Sequence, residues 1–327
     1  MRNLDSVNEH YKNNIEQDIQ MQGSNVVIAG ANKSGTTSLF RYLSDHPDVC
    51  PSSVKETDFF LRDENFLAAD VLDCYGRYFS RCDDAEPVWL EASPGYLARA
   101  DVVAERMSSY ISSAKLVFCL RSPVQRLLSY YFRNRQTQFH PALAALDLDE
   151  FVELLEKVVG DGENIPKPGA PRNAMLQYDR GRYAAHLGVF SNYFPDHQIC
   201  ILTFDELAQN TLDAVKRVSR FIGVSDTFYN NDYVFTVENQ NRDYRLRFLQ
   251  KTGSRWGRKL EVLLNRAPWA RKLLRKALLK QPSQGISKNV DDEIKHRLEA
   301  LYKGPNADLK RYLSQTHPEV KLPEWLM

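Results

Sequence analysis

The amino-acid sequence predicts an α/β fold, in which helices flank a doubly wound parallel sheet and a helical C-terminal extension follows. Short apolar runs typical of buried parallel strands lie at residues 25–30, 88–91, 115–120 and 198–204. Helical patterns separate these runs, and strands that alternate with helices favour a parallel sheet. Beyond residue 204 the patterns are almost wholly helical.

The helices follow from apolar residues spaced three and four apart. Between the strands this spacing predicts helices at 36–45, about 98–110, 123–135 and 172–194. After the last strand it predicts helices at 211–222, 244–253, 256–265, 268–280, 291–303 and 306–314, and the Gly- and Pro-rich residues 160–172 indicate a loop. We expect a polar N-terminal segment (1–24) and a single domain (25–327) with a basic helical insertion at about 242–282.

The composition is that of an ordinary globular protein, with 43% hydrophobic and 26% charged residues in a chain of 327. The five cysteines are an odd number without a CxxC pair, so we expect reduced thiols and no disulfide framework. No apolar stretch has the length of a signal-peptide core or a membrane span. These features predict a soluble, cytoplasmic protein, with peripheral attachment to a membrane as an open alternative.

The most informative stretch joins the first strand to the first helix. Residues 25–38 form an apolar strand, a small polar loop, and a helix that begins at Thr36. Backbone N–H groups and the positive end of the helix dipole converge there, and Lys33 adds a cation beside the hydroxyls of Ser34, Thr36, Thr37 and Ser38. This P-loop-like segment predicts a site for a phosphate-like anion. It departs from the nucleoside triphosphatase pattern G-x-x-x-x-G-K-[ST], because Lys33 precedes Gly35.

Three polar or glycine positions follow predicted strands. Gly30, Glu91 and Arg121 each stand at the carboxyl end of an apolar run. Open α/β sheets bind their ligands at that edge. We therefore expect these segments to meet in one site.

The displaced lysine resembles the 5′-phosphosulfate loop of sulfotransferases that use 3′-phosphoadenosine-5′-phosphosulfate (PAPS). His46-Pro47 and the run Lys55-Glu56-Thr57-Asp58-Phe59-Phe60 look like the acceptor-side motif of the glycan sulfotransferases, and residues 116–131 are similar to the family's 3′-phosphate motif. Weaker matches lie at 91–96, 181–187, 194–195 and 322–326. The chain resembles a soluble member of the PAPS-dependent family, of the heparan-sulfate type, over residues 25–223 and loosely over 285–327.

The resemblance implies a role for each matching residue. The 5′-phosphosulfate would be held by Lys33, Ser34, Gly35, Thr36, Thr37 and Ser38, and the 3′-phosphate by Arg121 and Ser129. Lys33 would also neutralise charge on the leaving oxygen, and Glu56 would be the general base that takes the acceptor's proton. Sulfuryl transfer needs mainly position and charge stabilisation. Because the 5′-phosphate is already a good leaving group, no metal is required. The product would be adenosine 3′,5′-bisphosphate.

Some positions depart from the family pattern or stay ambiguous. Arg133 stands where glycan N-sulfotransferases carry a histidine, which leaves O- and N-sulfation open. The late Lys-Gly-Arg nucleotide loop is absent, and its candidate substitutes are residues 239–242 or Gly285 with Lys280 and Lys288. Three more residues have two readings each: Lys55 is an acceptor contact or an exposed lysine, and Tyr183 and His186 line the cleft or the core. His140 and His197 have no metal-ligand spacing.

Charge is strongly segregated along the chain. Residues 242–280 hold thirteen Lys/Arg against two acidic residues, a net charge of +11, although the whole chain carries only +1. Leucines and Trp269 recur among these cations at helical spacing on both sides of Pro268. The segment is either a solvated face or a surface that binds an anion, in the form of a charged glycan or an anionic membrane.

The sequence predicts transfer of a sulfuryl group from PAPS to a hydroxyl or amine of a carbohydrate or glycolipid, by in-line displacement. One alternative is a nucleotide-dependent kinase or nucleoside triphosphatase, and another is a sulfotransferase for a small non-carbohydrate alcohol. A binding module dominated by the basic segment is a further alternative. We expect no nucleic-acid partner, and the sequence leaves the acceptor and the oligomeric state undetermined.

Overall fold

The computed structural model describes residues 24–83, 87–162, 168–230, 233–235 and 290–327. A five-stranded parallel sheet lies at its centre, with the strand order β2-β3-β1-β4-β5. The strands are β1 (Ser24–Gly30), β2 (Val49–Pro51), β3 (Val88–Ala92), β4 (Lys115–Leu120) and β5 (Ile199–Thr203). The predicted parallel sheet is confirmed.

Helices cover both faces of this sheet. They are α1 (Thr36–Ser44), α2 (Val71–Gly76), α3 (Ala100–Tyr110), α4 (Pro123–Thr137), α5 (Pro141–Ala144), α6 (Leu148–Gly160), α7 (Ala170–Asp179), α8 (Tyr183–Ser191), α9 (Phe204–Gln209), α10 (Thr211–Ile222) and α11 (Asp292–Thr316). In β1, Val27 and Ala29 join the core cluster of α3 and α8, whereas Val26 and Ile28 join that of α1 and α10. The central strands are apolar throughout because both of their faces are buried.

Two predicted helical stretches differ from the structure. The stretch 172–194 is two helices, α7 and α8, which are separated at residues 180–182. A side chain at Gly181 would place its Cβ 2.6 Å from the Tyr302 ring, so this break allows α11 to approach closely. The predicted helices 291–303 and 306–314 are instead the single helix α11, which contains Pro305.

Other elements were not predicted at all. Strand β2 is only three residues long and lies at an edge of the sheet, so its apolar pattern is too short to register. Helix α6 begins with a reciprocal capping box between Asp147 and Glu150, which satisfies two N–H groups of its first turn. The predicted loop around 160–172 lies between the end of α6 and the start of α7. Residues 163–167 of this loop are not among the described residues.

The cysteines correct the expectation that every thiol is reduced. Cys50 in β2 forms a disulfide with Cys82, whereas Cys74, Cys119 and Cys200 are free. The two bonded cysteines are 32 residues apart in the sequence, so composition alone could not reveal that folding brings them together. The cytoplasmic location stays a prediction, and disulfides persist mainly in oxidising compartments.

The described elements belong to a unit formed by residues 1–236 and 292–327. A second unit, residues 237–291, contains the basic segment and lies almost entirely outside the described residues. The helices predicted at 244–253, 256–265 and 268–280, the substitutes for the late nucleotide loop, and the N-terminal segment also lie outside them. In the part of the chain that is described, no helix combines the length and the apolar character needed to span a membrane.

Candidate active site

The loop between β1 and α1 has the tight backbone that an anion site requires. Lys33 and Gly35 both have left-handed backbone conformations, with φ angles of 71° and 83°. A side chain at Gly35 would place its Cβ 3.1 Å from Phe204 and from Leu207, so only glycine fits there without displacement. The loop can therefore bring its backbone N–H groups close to a ligand at the start of α1.

The hydroxyls of this loop lie inside the protein. Ser34, Thr36 and Ser38 are buried, and Thr37 is half-buried. Within the described residues, the Ser34 Oγ is buried and has no hydrogen-bond partner. A buried hydroxyl without a partner needs an explanation such as a bound ligand or water. The Ser34 hydroxyl is therefore suited to receive an anion in this loop.

Arg121 joins the loop, as the strand-end argument predicts. Strands β1 and β4 are neighbours, and Arg121 follows β4 directly. Its Nη1 donates to the Lys33 carbonyl oxygen at 3.1 Å, its Nε donates to Gln125 Oε1 at 3.2 Å, and its guanidinium stacks 4.4 Å from the centre of the Phe204 ring. These three contacts fix the guanidinium beside the loop.

Ser129, the other residue assigned to the 3′-phosphate, lies within α4 and is half-buried. The contacts of the described residues do not connect it to Arg121 or to the loop. Tyr183 does contact this region, because its buried hydroxyl donates to the Arg121 carbonyl oxygen at 2.9 Å. His186 instead pairs with Asp179 at 3.2 Å. Tyr183 is thus part of the support beneath the site.

Glu56 lies at the rim of the same site. Its backbone N–H donates to the Ala92 carbonyl oxygen at 2.9 Å, which ties it to the end of β3. Its side chain is exposed, and its Oε1 accepts a hydrogen bond of 2.7 Å from Lys55 Nζ. Lys55 is therefore an ion-pair partner of Glu56.

The pKa of Lys33 reports on the charges around it. Burial, followed by the charges of nearby arginines, lowers this pKa from 10.5 to about 8, and the negative charge of Glu56 opposes the change. The structure therefore brings Lys33, Arg121 and Glu56 into one electrostatic environment. The arginines that lower the pKa of Lys33 are Arg133, Arg121 and Arg126.

Arg126 and Arg180 are site residues that sequence reasoning missed. Arg126 is 1% exposed and donates to the Gln177 carbonyl oxygen, while its buried Nε has no partner among the described residues. The two arginines line a small cavity beside Ala31 and Asn32, next to the anion loop. The sequence contained a signal for Arg126, because helical spacing places it on one face of α4 with Tyr130 and Arg133. The sequence did not show that this face of the helix is turned toward the site.

The described residues contain no cluster of histidine, cysteine, aspartate or glutamate that could hold a metal ion. Fold and site together define an α/β protein with a tight glycine loop at the carboxyl edge of a parallel sheet, beside a cluster of cations and the exposed carboxylate of Glu56. This arrangement is typical of enzymes that transfer a charged group. The family model described as "Sulfotransferase domain" matches residues 24–245, more than half of the chain. The chain belongs to this family, and it is a transferase of the sulfotransferase class.

Two curated relatives show which proteins the chain is similar to. It is 26% identical over 204 residues to the bifunctional heparan sulfate N-deacetylase/N-sulfotransferase 2 of Bos taurus, and this match covers 61% of the chain and 22% of the relative. It is 36% identical over 109 residues to the membrane-associated sulfotransferase kil1 of Dictyostelium discoideum, covering 33% of the chain and 22% of the relative. The chain thus spans about a fifth of the length of each.

A solved structure shares the fold. The sulfotransferase from Alicyclobacillus acidocaldarius aligns with 93% of this chain and 99% of its own, with a TM-score of 0.60 and 23% sequence identity. At this level of sequence identity the comparison shows a common fold.

Proposed function

We propose that this protein transfers a sulfuryl group from PAPS to a hydroxyl or amine of a carbohydrate or glycolipid acceptor, by in-line displacement. The observation that supports this best is the hydrogen bond between Arg121 and the Lys33 carbonyl oxygen, which joins a strand-end arginine to an anion loop beside Glu56. The heparan sulfate N-sulfotransferases among its relatives support a carbohydrate acceptor.

The residues of the site fit the chemistry of this donor. When bound, PAPS supplies an electron-poor sulfuryl group that is attached to a good leaving group. The unpartnered Ser34 hydroxyl and the left-handed Gly35 leave an anion cradle at the start of α1. Lys33, Ser34, Gly35, Thr36, Thr37 and Ser38 would hold the phosphosulfate. Arg121 and Ser129 would hold the 3′-phosphate, since a guanidinium fork matches a phosphate monoester.

Glu56 is the general base in this proposal. The acceptor hydroxyl or amine loses a proton as its bond to sulfur forms, and a carboxylate within hydrogen-bond reach accepts that proton. The exposure of Glu56 allows an acceptor to approach it from solvent. Lys55 occupies one of its oxygens, so an acceptor must displace Lys55 Nζ or use the other oxygen.

Lys33 provides the positive charge that balances charge developing on the phosphate oxygen. Burial and the nearby arginines lower the pKa of Lys33 to about 8. A bound anion would raise this pKa again, because a negative charge favours the protonated lysine. The proposed chemistry uses side chains and backbone N–H groups of the protein and requires no metal ion.

The proposal can be tested with the purified full chain, radiolabelled PAPS and a panel of acceptors in the presence of a metal chelator. The panel would include N-desulfated and O-desulfated heparan chains, a neutral glycolipid and a small alcohol, which separates O-sulfation from N-sulfation. We expect label to reach a carbohydrate. Tight, magnesium-dependent binding of ATP in preference to adenosine 3′,5′-bisphosphate would favour the kinase or nucleoside triphosphatase alternative. Transfer of label to the small alcohol alone would favour a sulfotransferase for a non-carbohydrate alcohol.

The basic segment, which lies outside the described residues, is proposed to bind an anionic acceptor or membrane. Joint neutralisation of Arg271, Lys272, Arg275 and Lys276 would then raise the acceptor KM and spare nucleotide affinity. Cosedimentation with anionic vesicles distinguishes the membrane, because only the membrane version predicts pelleting. If the variant has the acceptor KM of the wild type and neither protein pellets with the vesicles, the segment binds no anion and is a solvated face.

A further inference from the structure

Glu91 is a buried carboxylate surrounded by hydroxyl groups. It is the next-to-last residue of β3, and 0% of its surface is exposed. Its Oε1 accepts hydrogen bonds from Thr57, from Ser93 at 2.7 Å and from Tyr96 at 2.6 Å, and its Oε2 accepts one from Tyr75 at 2.9 Å. Among the described residues, no lysine or arginine forms an ion pair with it. Hydroxyl groups therefore take the place that a cation ordinarily has around a buried carboxylate.

Three of these hydroxyls also hold the backbone of the turn that follows Glu56. Each accepts one backbone N–H, and the pairs are Asp58 N–H to Ser93 Oγ at 3.0 Å, Phe59 N–H to Thr57 Oγ1 at 3.2 Å, and Phe60 N–H to Tyr96 OH at 3.3 Å. A hydroxyl has one proton to donate and lone pairs that accept. Because each hydroxyl gives its proton to Glu91, its lone pairs are directed to the turn.

The turn needs such support because of its backbone conformation. Glu56 and Asp58 have φ angles of 62° and 50°, in the left-handed region that side chains other than glycine rarely adopt. Such conformations persist where the surroundings determine them, and they concentrate at functional sites. The Glu56 N–H is itself bound by the carbonyl of Ala92, the residue next to Glu91. The end of β3 therefore fixes both ends of the turn.

We propose that Glu91 is the positioning residue of Glu56. Its carboxylate orients the hydroxyls of Thr57, Ser93 and Tyr96, and these hold the turn in the conformation that presents Glu56 to the acceptor beside Lys33. This inference rests on the proposed role of Glu56 as the base. Only an ionised carboxylate accepts from four hydroxyls without donating, whereas a leucine of similar size accepts from none of them.

The test compares two substitutions that each remove one hydroxyl from Glu91. Ser93→Ala also releases the Asp58 N–H, whereas Tyr75→Phe keeps its ring and releases no turn N–H among the described contacts. Misplacement of a catalytic group by about 1 Å can cost about 100-fold in rate, so we expect kcat to fall about 10-fold or more in Ser93→Ala and Glu91→Leu. The KM for PAPS and the Kd for adenosine 3′,5′-bisphosphate should change less than about 2-fold, and Tyr75→Phe should keep wild-type kcat. Equal losses in Ser93→Ala and Tyr75→Phe would overturn the proposal.

Two further measurements exclude a merely structural role. In a Glu56→Gln background, Ser93→Ala and Glu91→Leu should lower kcat no further, because they act through Glu56, and additive losses would contradict this. Hydrogen exchange of the 56–60 amides should quicken in Ser93→Ala and not in Tyr75→Phe, and unchanged exchange would also overturn the proposal. Wild-type kcat in Glu56→Gln would refute the base and with it the positioning role. Low kcat in Glu56→Gln beside wild-type kcat in Glu91→Leu would refute the positioning role alone. Ser93→Ala keeps the test valid if Glu91→Leu does not fold.

Discussion

The Arg121 guanidinium donates a hydrogen bond of 3.1 Å to the backbone carbonyl oxygen of Lys33. This hydrogen bond joins the segment that follows β4 to the loop that follows β1, and β1 and β4 are adjacent strands of the sheet. With Phe204 stacked on the same guanidinium, contacts within the protein fix the position of the arginine. Preorganised cations of this kind lose little side-chain freedom when an anion binds.

Replacement of Arg121 by lysine tests this arrangement. Lysine keeps the charge but loses the planar fork and the stacking on Phe204, so we expect the Kd for adenosine 3′,5′-bisphosphate to rise about 10- to 100-fold. Isothermal titration calorimetry measures the effect. Arg77→Lys, which changes an exposed arginine paired with Asp73, is the matched control and should bind like the wild type. Equal affinities in both variants would remove Arg121 from the nucleotide site.

Glu56→Gln tests the base. The substitution keeps the shape of the side chain but cannot accept a proton, so kcat should fall by about 10²- to 10⁴-fold. Affinity for adenosine 3′,5′-bisphosphate should stay within about 2-fold of wild type, since Glu56 is not assigned to the nucleotide. Turnover is measured with radiolabelled PAPS, and Glu64→Gln is the control at another exposed glutamate. Wild-type turnover in Glu56→Gln would require another base.

Lys33 predicts a limit to activity at basic pH. Since its pKa is lowered to about 8, the free enzyme loses this positive charge as pH rises through about 8, and kcat/KM should fall there. A bound anion raises the pKa of Lys33, so the corresponding limb of kcat should lie at higher pH. Lys33→Arg, which stays charged, should lack the limb whatever its absolute rate. A limb that persists in Lys33→Arg would assign it to another group.

The same lowered pKa predicts the direction of a stability effect. Unfolded Lys33 titrates at 10.5 and folded Lys33 at about 8, so the folded state binds fewer protons between these pH values. The free energy of unfolding of the wild type, relative to Lys33→Met, should therefore rise with pH across this window. Chemical denaturation of both proteins at pH 7 and pH 10 measures the difference. A fall in relative stability over that range would contradict the lowered pKa.

The disulfide predicts a loss of stability on reduction. The bond Cys50–Cys82 closes a loop of 32 residues, and the loop-entropy estimate gives about 3–4 kcal/mol of stabilisation of the folded state. Cys82→Ser should therefore unfold at lower denaturant concentration and become insensitive to reductant. Cys74→Ser, at a free half-buried cysteine, should keep the sensitivity of the wild type. A wild-type protein that is unaffected by reductant would show that the pair is not bonded in solution.

Local sequence patterns determined much of the fold and the anion loop. The apolar runs at β1, β3, β4 and β5 were sufficient because strands buried on both faces leave an uninterrupted signal. Lys33, Gly35 and Thr36 could be placed in one loop because they are neighbours in the chain. Arg121 could be added because parallel strands end at a common edge.

Only the tertiary structure decided the contacts between distant segments. Glu91 accepts hydrogen bonds from Thr57 and Tyr75, Arg126 and Arg180 line the same cavity, and Cys50 forms a disulfide with Cys82. Each pair forms because folding brings two distant segments together. Helical or strand periodicity in the sequence does not indicate which distant segments will be neighbours. The break at Gly181 also depends on a distant segment. The residue there must lack a side chain because the ring of Tyr302, more than a hundred residues away in the sequence, packs against it. Sequence patterns specify which face of an element is apolar, whereas close packing decides what that face meets.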